Sequence, residues 1–160
     1  MWSEVDRSGA TTVLLGNFQA KVDEKFRVKL PAFFRSHIET TWGTGLYVTS
    51  DSHVGAYVQI YPMPVWLAIL EKLAAMPRSL SAAKKLSQWT NYWGQAADLD
   101  SQGRVLIHPL LREAAAMDGE IVVLGEQDKL TLWNHARFKQ SASESAMTDD
   151  DWDDLARRGL

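Results

Sequence analysis

Val22-Asp23-Glu24-Lys25-Phe26-Arg27-Val28-Lys29-Leu30-Pro31-Ala32-Phe33-Phe34-Arg35 recurs without gaps, 77 residues on, as Leu99-Asp100-Ser101-Gln102-Gly103-Arg104-Val105-Leu106-Ile107-His108-Pro109-Leu110-Leu111-Arg112. Asp, Arg, Val and the final Arg are identical, and apolar positions coincide at Val22 with Leu99, Leu30 with Ile107 and Phe34 with Leu111. Matching at so many positions marks two copies of one module. In each copy an Asp, two polar residues, a turn position and an Arg sit between alternating strands, the pattern of a tight hairpin. The Asp side chain can accept bonds from the amides that follow, and Gly103 supplies the positive φ such a turn needs. Asp23, Asp100 and Gly103 are therefore assigned to stabilising the turns. Phe26 stands in the glycine slot of the first copy, where a side chain in the left-handed region costs roughly 1–2 kcal/mol. The first turn is expected to be strained or of another type.

Each copy continues into a second β-rich pair: Leu46–Thr49 with Tyr57–Tyr61, and Ile121–Leu124 with Lys129–Trp133. Helices fill the intervals. Pro31 and Pro109 suit the first turn of a short helix, where the missing amide donor would be unpaired anyway, and Gly43 and Gly119 are read as stops. Between Pro64 and Pro77, Trp66, Leu67, Ile69, Leu70, Leu73 and Ala74 recur at helical spacing. Another helix follows, with Ser81 as N-cap and Gly94 as stop, carrying Leu86, Trp89, Tyr92 and Trp93. The predicted organisation is a flexible arm over 1–14, a first module over 15–77, a linker helix over 78–93, a second module over 94–140 and an acidic tail over 141–160. The class is mainly β with short helices, α+β.

The chain has 160 residues, 46% of them hydrophobic, and seven tryptophans, enough for one good core or two small ones packed together. No stretch approaches the roughly 20 apolar residues of a membrane span, and the start lacks the pattern of a secretory signal, so a cytoplasmic protein is expected. The absence of cysteine excludes disulfides, thiol nucleophiles and thiolate-held metals. No metal site, cofactor or small-molecule substrate is assigned. The net charge of −3 is uneven: six acids against two bases give residues 141–160 a charge of −4, leaving +1 on the rest. Nucleic-acid binding by such a body would rely on local basic clusters multiplied by assembly. The tail reads as disordered or transiently helical.

The repeated Asp-x-x-[Gly]-Arg turn, the apolar run after it, the Pro and the Leu/Phe-Arg pair resemble the MraZ family, from about Gly16 to about Lys139. The resemblance implies tandem swapped-hairpin modules of the AbrB type, double-psi-type β barrels in pseudo-twofold arrangement. It also implies ring-shaped homo-oligomers, and binding of double-stranded DNA at repeated promoter boxes upstream of the cell division and wall gene cluster, with repression and nucleoid association. The turns suit that expectation, because an arginine held at the base of a rigid loop presents a fork of donors matching a phosphate or the O6/N7 edge of guanine. Arg27 and Arg104 are the first candidates for DNA contact, followed by Lys25, Lys29 and Gln102; Lys21 and Arg35 are weaker. An internal role, bridging to an Asp, is the alternative for the two arginines. The sequence departs from the family pattern at Phe26 and at His108, which takes a proline slot.

Two other functions compete. An enzyme is disfavoured: the four histidines are scattered, with no pair at i, i+4, and no nucleophile elbow or phosphate-binding loop occurs, so no catalytic residue is assigned. An AbrB-like antitoxin would bind a toxin through its tail, where Trp152 lies; two fused modules joined by a dedicated helix argue against it.

Overall fold

The computed structural model describes residues 13–160; the predicted arm falls almost wholly outside them, and Leu14 already belongs to a strand. The first copy comprises β1 (Leu14–Lys21), β2 (Arg27–Lys29), α1 (Ala32–Trp42), β3 (Gly45–Thr49), β4 (Val58–Pro62) and α2 (Met63–Ala74). After α3 (Ser81–Tyr92) the same order returns in β5 (Gln95–Asp98), β6 (Arg104–Leu106), α4 (Pro109–Ala114), β7 (Glu120–Gln127), β8 (Leu130–Asn134) and α5 (His135–Gln140). The protein is an α+β fold of antiparallel strands and short helices.

Strand pairing departs from a simple reading of two hairpin modules. β1 runs antiparallel to β7, and β5 to β3, so the opening strand of each copy pairs in the other copy. The turn after β1 is closed by an isolated Val22–Val28 bridge and by Asp23 N–H donating to Arg27 O at 2.9 Å, but the ladder of β2 is with β6. The six-stranded order is β1-β7-β8-β4-β3-β5, open in its hydrogen bonding because the end strands do not pair with each other. β2 and β6 form a separate ribbon in which Val28 faces Val105, its own repeat partner. A pseudo-twofold axis therefore passes through that pair, and the flanking bonds obey it: Leu30 N–H donates to Gly103 O at 2.8 Å and Ile107 N–H to Phe26 O at 3.1 Å.

Both copies share one core. Val28, Leu30, Phe34, Ile38, Leu46 and Ile60 from the first meet Val105, Ile107, Leu111, Ile121, Leu130 and Leu132 from the second, all buried. Burying such a side chain contributes roughly 1.5–3 kcal/mol, and the mixing of residues from both copies ties their stability together. Trp66 is used internally, stacked on Tyr47 at 4.8 Å and tilted against Tyr61 at 4.9 Å.

Several helix ends differ from the sequence reading. Pro109 opens α4 as expected, whereas Pro31 is the N-cap of α1. Ser81 is the first residue of α3, and Leu80 caps it without a side-chain bond. Gly43 does end α1 with φ 89°, but α4 stops before Gly119: Ala115 is its C-cap and Ala116 turns left-handed at φ 50°. The tail carries α6 (Asp149–Arg157) where disorder or transient helix was expected. Its start is fixed by a capping box: Asp151 N–H donates to Thr148 Oγ1 at 3.1 Å, and Thr148 N–H to the Asp151 carboxylate at 2.9 Å. Three aspartates in its first turn also suit the positive end of the helix dipole.

Candidate nucleic-acid interface

Asp23 and Asp100 build the two turns in the same way. One Asp23 carboxylate oxygen accepts the backbone N–H of Lys25 at 2.8 Å and of Arg27 at 2.9 Å; the matching oxygen of Asp100 accepts Gln102 N–H at 2.9 Å and Arg104 N–H at 2.7 Å. The Arg27 amide above all, with further help from the Lys25 amide and the Arg27 guanidinium, holds the Asp23 carboxyl below the usual carboxylate range despite some desolvation. The Arg104 amide, then that of Gln102, does the same for Asp100. Both carboxylates therefore remain ionised, and the turns braced, throughout the neutral range.

Phe26 resolves to the strained alternative. Its φ is 63° beside 77° at Gly103, and the bonds around it duplicate those of the glycine turn, including the closing contact to the Asp carbonyl at 3.0 Å. The repeat explains why an aromatic is tolerated in one copy only. Arg112 lays its guanidinium over the Phe26 ring, 3.6 Å from the centroid. Its repeat partner Arg35 closes on the second turn, donating to Ser101 O and pairing with Glu39 at 3.2 Å. A Cβ added at Gly103 would stand 2.8 Å from Arg35 Cδ. Gly103→Ala is therefore expected to lower stability by about 1–2 kcal/mol through the left-handed backbone. Phe26→Gly should be nearly neutral, since the roughly 1–2 kcal/mol of strain it relieves is offset by loss of a stacked cation of about 0.5–1 kcal/mol and by about 0.5–1 kcal/mol of added backbone entropy in glycine. Urea unfolding of both variants checks the asymmetry.

The ribbon turns its cations outward. Val28 and Val105 are fully buried, so Arg27, Lys29, Arg104 and Leu106 occupy the opposite face, with Lys29 directly across from Arg104 and Arg27 across from Leu106. Lys25 and Gln102 are exposed at the tips of the two turns. The arginines are held differently. Arg27 Nε donates to Asp23 at 3.0 Å while its NH1 lies 3.9 Å from Asp100, so it links the two turns. Among the described residues, the Arg104 guanidinium bonds to the side chain of Gln102 alone. The structure thus brings Arg27, Lys29 and Arg104 onto one face and sets Lys25 and Gln102 at its ends. Sequence reasoning missed Leu106, half-exposed on that face across from Arg27, and the paired service of Arg35 and Arg112 to the turns; the offset of 77 that relates those two arginines was the available signal.

His108, the N-cap residue of α4, has both ring nitrogens buried without a well-formed hydrogen bond. Burial depresses its pKa; the Trp93 backbone opposes the shift in part, and Arg112 adds a smaller push in the same direction as burial. The folded state thus favours the neutral ring, and protons bind more tightly to the unfolded chain, whose histidine titrates near about 6.5. Stability should be complete above that value and decline as pH falls below it. Thermal melts of wild type and His108→Gln between pH 5 and about 8 should diverge only on the acid side.

Fold and ribbon define a two-repeat α+β protein bearing a cationic, pseudo-symmetric β ribbon. Residues 94–158 match the family model described as "MraZ protein, putative antitoxin-like". A protein of Acidobacterium capsulatum named transcriptional regulator MraZ is 41% identical over 145 residues, spanning 91% of this chain and 98% of its own. Its namesake from Koribacter versatilis is 37% identical over 146 residues (91% and 98%), and that of Thiobacillus denitrificans 32% over 124 residues (78% and 82%). The chain belongs to the MraZ family, whose relatives are named as transcriptional regulators rather than as enzymes. No helix among the described residues is long and apolar enough to cross a membrane.

Proposed function

We propose that this chain is a transcription regulator that reads double-stranded DNA with the β2/β6 ribbon and its two Asp-braced turns. The observation that carries the proposal is the outward set of Arg27, Lys29 and Arg104 on a ribbon whose inner face is fixed by buried Val28 and Val105. A major groove about 12 Å wide admits a two-stranded β ribbon, and rigid turns present arginine forks with little entropy left to lose. Arg104 reads a base edge; Lys25 and Lys29 contact phosphate, and Gln102 contacts phosphate or a base edge. Arg27 joins them while holding the two turns in register.

The finer reading follows the family. The exchange of opening strands between copies supports swapped-hairpin modules of the AbrB type, of the double-psi barrel kind. Copies of the chain assemble into a ring and bind repeated boxes upstream of their own gene in the cell division and wall cluster, repressing it from the nucleoid in the cytoplasm. A ring would present several weak ribbons to tandem boxes and bind by avidity. Fluorescence anisotropy on the upstream DNA and on a scrambled duplex, at several salt concentrations, tests this. The proposal expects tighter binding to the upstream DNA and a steep salt slope; equal binding to both duplexes would overturn it.

The family model's antitoxin-like description supports a second reading, in which exposed α6 captures a toxin. Tight, salt-insensitive binding of a neighbouring gene product by the tail, without DNA preference, would favour it.

A further inference from the structure

We propose that α6 of one chain docks in the groove between α2 and α3 of a second copy. The groove has a volume of about 800 Å³ and is lined by Leu70, Leu73, Met76 and Leu80. Met76 and Leu80 are each about two-fifths exposed, and the charged side chains lining the groove, Arg78 and Lys84, are both basic. No described residue fills it.

Helix α6 has complementary character and, among the described residues, no partner outside its own segment. Five of its nine residues are aspartate, and it has no buried residue. Among the described residues, its hydrogen bonds and its ion pair of Arg157 with Asp154 stay within residues 148–160. Trp152, 57% exposed, and Leu155 lie three residues apart, so they share a helix face, with Asp149 and Asp153 flanking it. An amphipathic helix with i, i+3 apolar anchors is the usual occupant of an apolar groove. Here the charges decide which helix: the acidic flanks of α6 match Arg78 and Lys84, and a helix as acidic as this one is repelled by few features of so basic a rim. The patch supplied by each chain differs from the patch it receives. Such a heterologous contact propagates head to tail and ends only by closing a ring.

This contact uses neither β2 nor β6, so it can fail while DNA reading stands, and the reverse. Size-exclusion chromatography with light scattering, on full-length protein over a range of concentrations, reads it directly. Wild type should be oligomeric. Trp152→Ala and the pair Arg78→Glu with Lys84→Glu should each shift dissociation to at least about tenfold higher concentration, as loss of an interface anchor does. Thermal unfolding of the dissociated Trp152 variant should match that of wild-type protein diluted until it dissociates. Adding Asp149→Lys and Asp153→Lys to the Arg78/Lys84 variant should restore much of the assembly. A monomeric wild type, including one with α6 folded into its own groove, would overturn the proposal, as would an oligomer indifferent to these substitutions. DNA preference measured on the dissociated variants, through Arg104, separates this outcome from a failure of the ribbon assignment.

Discussion

Protein carrying Arg27→Ala together with Arg104→Ala should lose two to three orders of magnitude in affinity for its specific DNA while remaining folded. A bidentate arginine contact is worth about 1–3 kcal/mol of discrimination, and about 1.4 kcal/mol is a factor of ten. Both side chains point away from the core, beside fully buried Val28 and Val105, so their removal opens no cavity. The two single variants should differ in kind. If Arg104, whose guanidinium reaches Gln102, acts on the DNA as proposed, its loss should remove sequence preference. Arg27 also bridges Asp23 and Asp100, and its loss should loosen both turns. Arg104→Lys keeps the charge but not the fork. If Arg104 reads a base, Arg104→Lys should lose preference with little change in salt slope; a phosphate contact would leave preference intact, and the Ala variant would lower the slope by roughly one.

Gly94→Ala should be the most damaging single-methyl change among those considered, lowering stability by about 3 kcal/mol, the upper end for overpacking. Gly94 follows Trp93, the C-cap of α3, and its N–H donates to Asn91 O at 3.1 Å. A Cβ there would overlap the Tyr47 hydroxyl and the backbone oxygen of Thr90. Neither can step aside cheaply. Tyr47 donates to Thr90 O at 2.9 Å and its ring is stacked on buried Trp66; Thr49, itself fully buried, donates to the same carbonyl at 2.6 Å. The clamp fastens the linker helix to β3. Breaking it should lower the melting temperature by roughly 6–12 °C for a domain of this size, measured by calorimetry.

The repeat made the turns legible because their chemistry is local. Asp23 and Asp100 bond to amides two and four residues ahead, and such bonds depend on spacing alone. Strand partnership was not legible. Alternation shows that a strand has two faces and leaves its neighbour unspecified, so nothing in Leu14–Lys21 announces β7 in place of β2. At Phe26 the sequence left a strained turn and a different turn open, and the neighbour that covers the ring, Arg112, lies 86 positions away. For α6 the sequence reading left disorder and a transient helix open. Its acidity resembles that of a solvated tail, yet Thr148-Asp149-Asp150-Asp151 carries the spacing of a capping box, a local signal that outweighed composition. Among the candidate site residues, the shared face of Arg27, Lys29 and Arg104 follows from one register, Val28 against Val105, which the offset of 77 permits but does not dictate.

The natural absence of cysteine offers the most direct test of the ribbon as the DNA-reading face. Single cysteines placed by Glu24→Cys and Ser101→Cys, at the two turns, and by Ser81→Cys, at the start of α3, can each carry a tethered DNA-cleaving reagent without background labelling. The account predicts cleavage of upstream DNA at discrete positions within each box from both turns, and none above background from position 81. Cleavage from position 81 with silence from the turns would contradict it and move the DNA to another face of the protein.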